Sequence, residues 1–427
     1  RRMDASKRPR RRIPRRMRPR HGVGDPHSPE NATATKLSRD YRLLLIARVL
    51  RGFGFGFMAV VLGLYLEQRG LRPAAIGAVL ALGLLTASLY GLPAAVVAAR
   101  IGRRPVLVVI GLLMMVSGLA LAAAGPTWLL ALAAATGMLG AASVDLGPFL
   151  ALEQATLTET VPPARRNRAF GRYSLTGGLA SAAGGLAAVL ASSPAASRAL
   201  LLLYAGLGLA TSALALGLSR QVESPVARPL LSRASARPLA GLAALFAVDS
   251  LGGGLVVQAV IAYWLHVRFG AGITLLGPTL AAIALVQAGS YEVATRLADR
   301  IGLVRTMVFT HLPSNVLLLL VPLSPNVAVA VAILVLRFSI SQMDVPTRQA
   351  YVASIVPPAE RVAALALTGS VRGVAQAVGP VIAGAAIQSA AYGLPFVLAG
   401  LIKIGYDLTL FAAFARRPAE MEPGRRP

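Results

Sequence analysis

Two stretches of this chain are copies of one another. Residues 153–185 and 348–380 align without a gap at an offset of 195 positions. Gln154-Ala155 then falls on Gln349-Ala350, Val161-Pro162-Pro163-Ala164 on Val356-Pro357-Pro358-Ala359, Arg166 on Arg361 and Gly184 on Gly379. A shared Val-Pro-Pro-Ala, followed by arginine and then by a helix of small residues, is too specific for an alanine- and glycine-rich composition to produce by chance. The chain is a tandem duplication, and whatever one half folds into the other must fold into as well.

The duplicated unit is built for a bilayer. Hydrophobic residues make up 56% of the chain and charged residues 14%, and the mean hydropathy is +0.65, more apolar surface than a water-soluble shape of this size can hide. Apolar runs of about 20 residues, each closed by a short polar turn, match helices crossing a hydrocarbon core about 30 Å thick; a membrane barrel would alternate instead. The expected spans are 42–66, 74–97, 105–124, 127–150, 170–191, 197–218, 239–264, 273–294, 304–322, 326–346, 362–386 and 392–415, six on each side of a linker at 219–238 rich in Pro, Ser and Arg. This predicts an all-α membrane protein of twelve helices in two six-helix bundles, 41–218 and 239–416. Residues 1–40, Arg- and Pro-rich with almost no apolar side chains, are expected to be a disordered basic tail, and 417–427 a second tail.

The formal charge of +26 matters for where it falls. Arg100, Arg103 and Arg104, Arg165, Arg166 and Arg168, the linker arginines, Arg296, Arg300 and Arg305, and Arg361 all lie in even-to-odd connections, while the odd-to-even turns are meagre in charge. That asymmetry predicts cytoplasmic termini and linker in a plasma (inner) membrane. Both Val-Pro-Pro-Ala loops are basic and so share a side, which requires an even number of helices per repeat and parallel repeats about an axis along the membrane normal. The charge is thus read as topogenic, with an anionic lipid surface as a weak contact and no nucleic-acid partner. Trp128 and Trp264 fall at outer helix ends, where ring anchors are expected. The lack of cysteine excludes disulfides and thiolate chemistry.

The turn after the second span reads Ala99-Arg100-Ile101-Gly102-Arg103-Arg104, and the turn after the eighth reads Asp299-Arg300-Ile301-Gly302. Here the chain resembles the major facilitator superfamily, whose loop between the second and third helices carries G-x-x-x-D-R-x-G-R-R. The resemblance implies twelve helices rocking as two bundles about a central site, carrying a small solute as a monomer. It also makes Arg100, Gly102, Arg103, Asp299, Arg300 and Gly302 a gating motif. Ala99 stands where Asp is expected, so the charge latch of the first copy is weakened relative to the second. The glycines at 177, 178, 184 and 185, with Gly373, Gly379 and Pro380 in the other copy, resemble the Gly- and Pro-rich motif that antiport members carry in the fifth helix. Gly184, Gly379 and Pro380 are read as helix-bending positions, with close packing of small residues as the alternative.

Charges within the spans cost a few kcal/mol each unless they face a cavity or a partner. Arg51 and Asp249 sit at matched depths in the first and seventh spans with opposite charge, so they either face one aqueous site or form a static pair, or Arg51 snorkels. In the tenth span Arg337, Ser341, Asp344 and Arg348 share one helical face, a polar wall unless Asp344 and Arg348 simply pair. Asp145 lies at a similar depth, with Glu153 two turns further. Arg51, Asp145, Asp249, Arg337 and Asp344 are therefore the substrate or proton-binding candidates. Lys403 and Asp407, spaced i, i+4, are expected to pair within their helix, and His311 to hydrogen-bond across a turn bent by Pro313.

No phosphate-cradling loop, metal-ligand cluster or nucleophile with a base is found, so no cofactor, metal, catalytic residue or enzymatic activity is expected. The functional expectation is secondary active transport by alternating access, as proton-coupled efflux of an amphipathic compound. The alternatives are uptake or facilitated diffusion of an anionic metabolite with Arg51 and Arg337 as its clamp, and a transporter-like sensor or scaffold.

Overall fold

The computed structural model describes residues 29–123, 125–141, 148–149, 152–153, 156–157, 161, 166–223, 232–357 and 360–414. The helices that build the first half are α1 (Pro29–Gln68), α2 (Pro73–Ile101), α3 (Arg103–Ala122), α4 (Trp128–Ala135), α5 (Arg166–Ala187) and α6 (Pro194–Leu216). Those of the second are α7 (Arg233–Gly254), α8 (Gln258–Phe269), α9 (Ile273–Ile301), α10 (Leu303–Leu320), α11 (Val327–Ser341), α12 (Asp344–Ser354), α13 (Arg361–Gln388) and α14 (Leu394–Phe414). Among the described residues ten helical segments are long and apolar enough to cross a membrane, α7 and α8 counting as one, and α11 is a shorter apolar helix. With the crossing that α4 opens, this is the expected twelve-helix all-α fold.

The duplication is legible in the geometry. Helices α2 and α9 are both 29 residues long, and each ends at a glycine with positive φ, Gly102 at 99° and Gly302 at 86°. Each of these glycines donates its N–H to a helical carbonyl, Ala98 O at 3.0 Å and Ala298 O at 2.9 Å. A side chain at that φ would be strained, which is why the turn that re-aims the chain into the next helix is glycine in both copies. Packing repeats too: α1 lies on α5 as α7 lies on α13, and α3 on α6 as α10 on α14. The halves meet through α2 against α13, α5 against α9, and α1 against α8.

The glycines at 184 and 379 stand at close helix contacts. A Cβ built on Gly184 would lie 2.0 Å from Phe53 O, one on Gly56 2.1 Å from Ser181 O, and one on Gly379 2.0 Å from Gly254 C. Helix α13 runs unbroken through Gly379 and Pro380. Because Pro380 has no N–H, the carbonyl of Gln376 loses its helical donor, and it is this oxygen that Gly254 packs against, its built Cβ 2.0 Å away. Gly185 replaces that proline in the first copy, and α1 still crosses α5 as closely. Gly379→Val puts a branched side chain into the backbone of α7 and is expected to cost about 3 kcal/mol, read as a lower midpoint of thermal unfolding in detergent.

Five expectations change, the first in the fourth span, where α4 stops at Ala135 and residues 136–141 are not helical. Residues 29–40, placed in the disordered tail, are helical: α1 starts at Pro29, a residue favoured in a first turn, and Asp40 is anchored by accepting from Ser219 N at 3.0 Å and Ser219 Oγ at 2.6 Å. The linker likewise ends early, since α7 starts at Arg233 and takes in 233–238. The seventh crossing breaks at 255–257 after Gly252-Gly253-Gly254, the run of poorest helix formers in it. The tenth crossing also breaks, at Gln342-Met343, so Arg337 and Ser341 lie on a different helix from Asp344 and Arg348.

Candidate functional site

Among the described residues, most of the charges inside the spans are gathered into two buried clusters, one in each half. In the first, Arg51 of α1 is fully buried and forks onto Glu153, Nη1 to Oε1 at 2.6 Å and Nη2 to Oε2 at 2.5 Å. Tyr173 of α5 donates its hydroxyl to Glu153 Oε2 at 2.6 Å. The Arg51 guanidinium stands 4.1 Å from the centre of the Phe149 ring, and that of Arg48 4.9 Å from the Tyr173 ring. A planar guanidinium with a bidentate carboxylate is the arrangement that best offsets desolvation of both charges.

The second cluster centres on Asp249 of α7. Lys403 of α14 donates Nζ to Asp249 Oδ1 at 2.6 Å. His311 Nε2 of α10 is 3.8 Å from the same oxygen, and Arg348 Nη1 of α12 is 3.7 Å from Oδ2. On its other side His311 Nδ1 is 2.9 Å from Asp407 Oδ1, while Asn315 donates Nδ2 to Asp407 Oδ2 at 2.8 Å. With Asp407 ionised, Nδ1 carries the ring hydrogen and Nε2 is left turned toward Asp249. The imidazole therefore bridges two buried carboxylates from α7 and α14. Arg348 also pairs with Asp344 one turn back on α12, and Arg372 of α13 donates Nε to Ser250 Oγ at 3.0 Å.

Several expected pairings give way to this arrangement. Arg51 and Asp249 each have a charged partner within their own half, Glu153 and Lys403. Lys403 and Asp407 do not pair: one turn apart on α14, they reach different partners, Lys403 to α7 and Asp407 to α10. His311 Nδ1 meets Asn315 Nδ2 across the turn at Pro313, at 3.3 Å, as expected, and also reaches a carboxylate on another helix, Asp407 Oδ1 at 2.9 Å. Asp344 pairs with Arg348 as its alternative reading had it. Trp264 is not an interfacial anchor but core, 1% exposed, donating Nε1 to Tyr392 O at 2.7 Å and packed 4.5 Å from the Phe396 ring. Asp145 lies outside the described residues, as does the side chain of Asp299.

Arg337 stands apart. It is 4% exposed, its ring neighbour is Phe338 at 4.5 Å, and neither Nε nor Nη1 has a hydrogen-bond partner. Ser341 Oγ, one turn on along α11, and Ser314 Oγ and Asn315 Oδ1 on α10 are unpartnered as well. Asp249 and Asp344 act on the guanidinium through space. Among the described residues no group of three His, Asp or Glu side chains is placed to hold a metal ion. Glu153, Lys403 and Asp407 are functional candidates that sequence reasoning either left unassigned or paired wrongly. Their signal was present, a charge within or beside an apolar span, but its partner was not readable from spacing.

The family model described as Major Facilitator Superfamily matches residues 44–343 and 242–427, nearly the whole chain. The chain belongs to the Major Facilitator Superfamily. A relative, the uncharacterized membrane protein YJR124C of Saccharomyces cerevisiae, is 25% identical over 422 residues, covering 88% of this chain and 94% of that protein. Among solved structures the fold is similar to that of a mutant form of the nucleoside transporter NupG, with a TM-score of 0.72 at 13% identity over 88% of this chain and 100% of that one. It is also similar to a D-xylose-proton symporter, with 0.68 at 14% identity over 88% and 97%. The human organic anion transporter MFSD10 gives 0.65 at 16% identity over 88% and 99%. The protein is thus a multi-pass membrane transporter of the superfamily, and its family and structural neighbours are transporters, not enzymes.

In this superfamily member the loop signature is carried unequally. Arg100 and Arg300 are exposed, whereas Arg103 is buried. Although Ala99 removes the expected acid from the first copy, a carboxylate is present from elsewhere: Glu223, just after α6, lies 3.2 Å through its Cδ from a Cβ built on Gly102. Arg104 donates to Leu216 O at the end of α6, so this loop is tied to the segment that leads out of the first bundle.

Proposed function

We propose that the protein is a proton-coupled carrier exporting a small amphipathic solute by alternating access, with the His311-bridged carboxylates Asp249 and Asp407 as the coupling element. One observation carries this reading: an imidazole, the side chain that changes charge nearest neutral pH, joins two buried carboxylates within a membrane interior, where each ionised group must be neutralised by a partner or a proton. Proton gain or loss at His311 alters how strongly α7, α10 and α14 attract one another, which is what a rocking bundle needs to sense. The export direction, cytoplasmic termini, a plasma-membrane setting and a monomeric state follow the sequence expectations, including the glycine pattern at 177–185 and 373–380.

Purified protein in proteoliposomes with an imposed pH gradient, offered a panel of solutes and read by an internal pH dye, tests the reading. Solute movement is expected to shift internal pH in the wild type, and His311→Gln is expected to reduce that shift to the level of empty liposomes. Solute crossing with internal pH unmoved in the wild type would make the protein a facilitator.

A second reading, uptake of an anionic solute, is favoured by Arg337. Arg51 is already neutralised by Glu153, so the two-arginine clamp reduces to Arg337, whose unpartnered Nε and Nη1 and neighbouring Ser341 Oγ are suited to an anionic group. Under this reading Arg337→Gln raises the apparent KM for an anionic solute on the order of tenfold or more while leaving neutral analogues unchanged. Equal effects on both would reject it.

A further inference from the structure

On the face opposite the start of α1, where the halves close together, three side chains from both halves meet. Glu67 near the end of α1 faces Tyr263 and His266 of α8. Tyr263 donates its hydroxyl to Glu67 Oε1 at 3.2 Å, and His266 Nε2 lies 3.2 Å from Glu67 Oε2. The other ring nitrogen, His266 Nδ1, is 2.9 Å from Ala271 O. A carbonyl oxygen only accepts, so Nδ1 carries a hydrogen. An ionised carboxylate also only accepts, so Nε2 meets it favourably only when it carries a hydrogen too. The ring therefore sits between two acceptors, an arrangement that the imidazolium completes and that the neutral ring breaks, by turning a lone pair on the carboxylate. The two side chains are 34% and 40% exposed, so protons reach them from the solution on that face.

We propose that His266 and Glu67 form a second proton-binding site, distinct from the Asp249 cluster, that latches the two halves shut on this face when the proton is bound. The location makes it a latch: Ala74 N to Gln388 Oε1 at 3.2 Å joins α2 to α13 at the same face, and Gly63 lets Tyr263 approach α1, its built Cβ 3.1 Å from Tyr263 Cβ. Other charged groups around the ring are engaged. Arg69 donates to Tyr65 Oη at 3.1 Å and to Gly125 O at 2.6 Å, and Arg268 stacks on Phe269 and Tyr392 at 5.6 and 5.9 Å. The parts of α2, α9 and α13 that reach this face, within 73–89, 273–290 and 373–391, contain no ionisable side chain. The sign follows from the hydrogen count: acidification adds the second N–H and closes the mouth, and alkalinisation releases it. A carrier built this way leaves the state open to that face with a proton on board. The inference stands whether or not the Asp249 cluster couples transport to protons.

The chain has no cysteine, so spin labels at T127C and P325C, two exposed positions on this face in opposite halves, report the mouth directly by double electron–electron resonance in nanodiscs without solute. Between pH 8 and pH 5.5 the ratio of short- to long-distance populations is expected to rise about fivefold or more. His266→Gln and Glu67→Gln, each made in the labelled protein, are expected to abolish that response. Tyr263→Phe is expected to shift the populations toward open at every pH while keeping the response. A wild-type ratio that does not move with pH, or a response that survives both His266→Gln and Glu67→Gln, overturns the proposal.

Discussion

Asp249→Asn is expected to lower stability by about 3–5 kcal/mol, because it removes one partner of a buried ion pair and leaves the other charge uncompensated. Lys403 Nζ at 2.6 Å loses the anion it donates to, and Arg348 and His311, at 3.7 and 3.8 Å, lose an anion they share. The measurement is the midpoint of thermal unfolding in detergent, followed in parallel with proton flux in liposomes. A second variant separates scaffold from coupling. Asp249→Asn combined with Lys403→Met removes both charges of the pair, and most of the stability is expected to return, since replacing a whole buried pair by uncharged groups is often neutral. Proton coupling is expected to stay lost in the double variant, since a bridging imidazole with one carboxylate has nowhere to pass its charge. An unshifted midpoint in the single variant would mean that the Asp249 cluster does not hold the second bundle together, and coupled flux in the double variant would remove Asp249 from the coupling element.

Glu153→Gln is the matching experiment in the first half, with an effect of similar size, about 3–5 kcal/mol. Arg51 is fully buried and forks onto Glu153 through both Nη atoms, so the glutamine takes away the charge of that carboxylate and one of the two acceptors it offers. Arg51→Lys is expected to cost less but not to be silent, because an ammonium cannot reproduce the two parallel hydrogen bonds or the flat contact on Phe149. Thermal unfolding of the two single variants and of Arg51→Met with Glu153→Leu would rank them, with the double variant expected nearest the wild type. If Glu153→Gln and the double variant melted together, the pair would have no structural role.

Periodicity and composition were enough to place most of the spans, the duplication, the basic loops and the two turn glycines, because each follows from local chemistry: hydropathy sets which residues stay in the bilayer, and φ sets where glycine must stand. Depth was legible for the same reason. Arg51 and Asp249 do lie within their spans, and Arg337 is buried mid-helix. Azimuth was not legible. Lys403 and Asp407 sit one turn apart, and only the neighbours of α14 decide that one is drawn to α7 and the other to α10. The breaks at 255–257 and 342–343 escaped because an apolar run looks the same whether its helix is continuous or interrupted, although the three glycines before 255 were a visible warning.

Taken alone, then, the amino-acid order determined a doubled, twelve-helix membrane carrier of the Major Facilitator Superfamily, and it named the ionised side chains that such a carrier must neutralise. The tertiary structure decided who meets whom: Arg51 with Glu153, Asp249 with Lys403 and His311, Asp407 with His311 and Asn315, Glu67 with His266 across the halves. The physical reason is that transfer into lipid depends on each segment's own side chains, whereas an ion pair depends on the rotation and approach of two helices far apart in the chain, which only their packing sets.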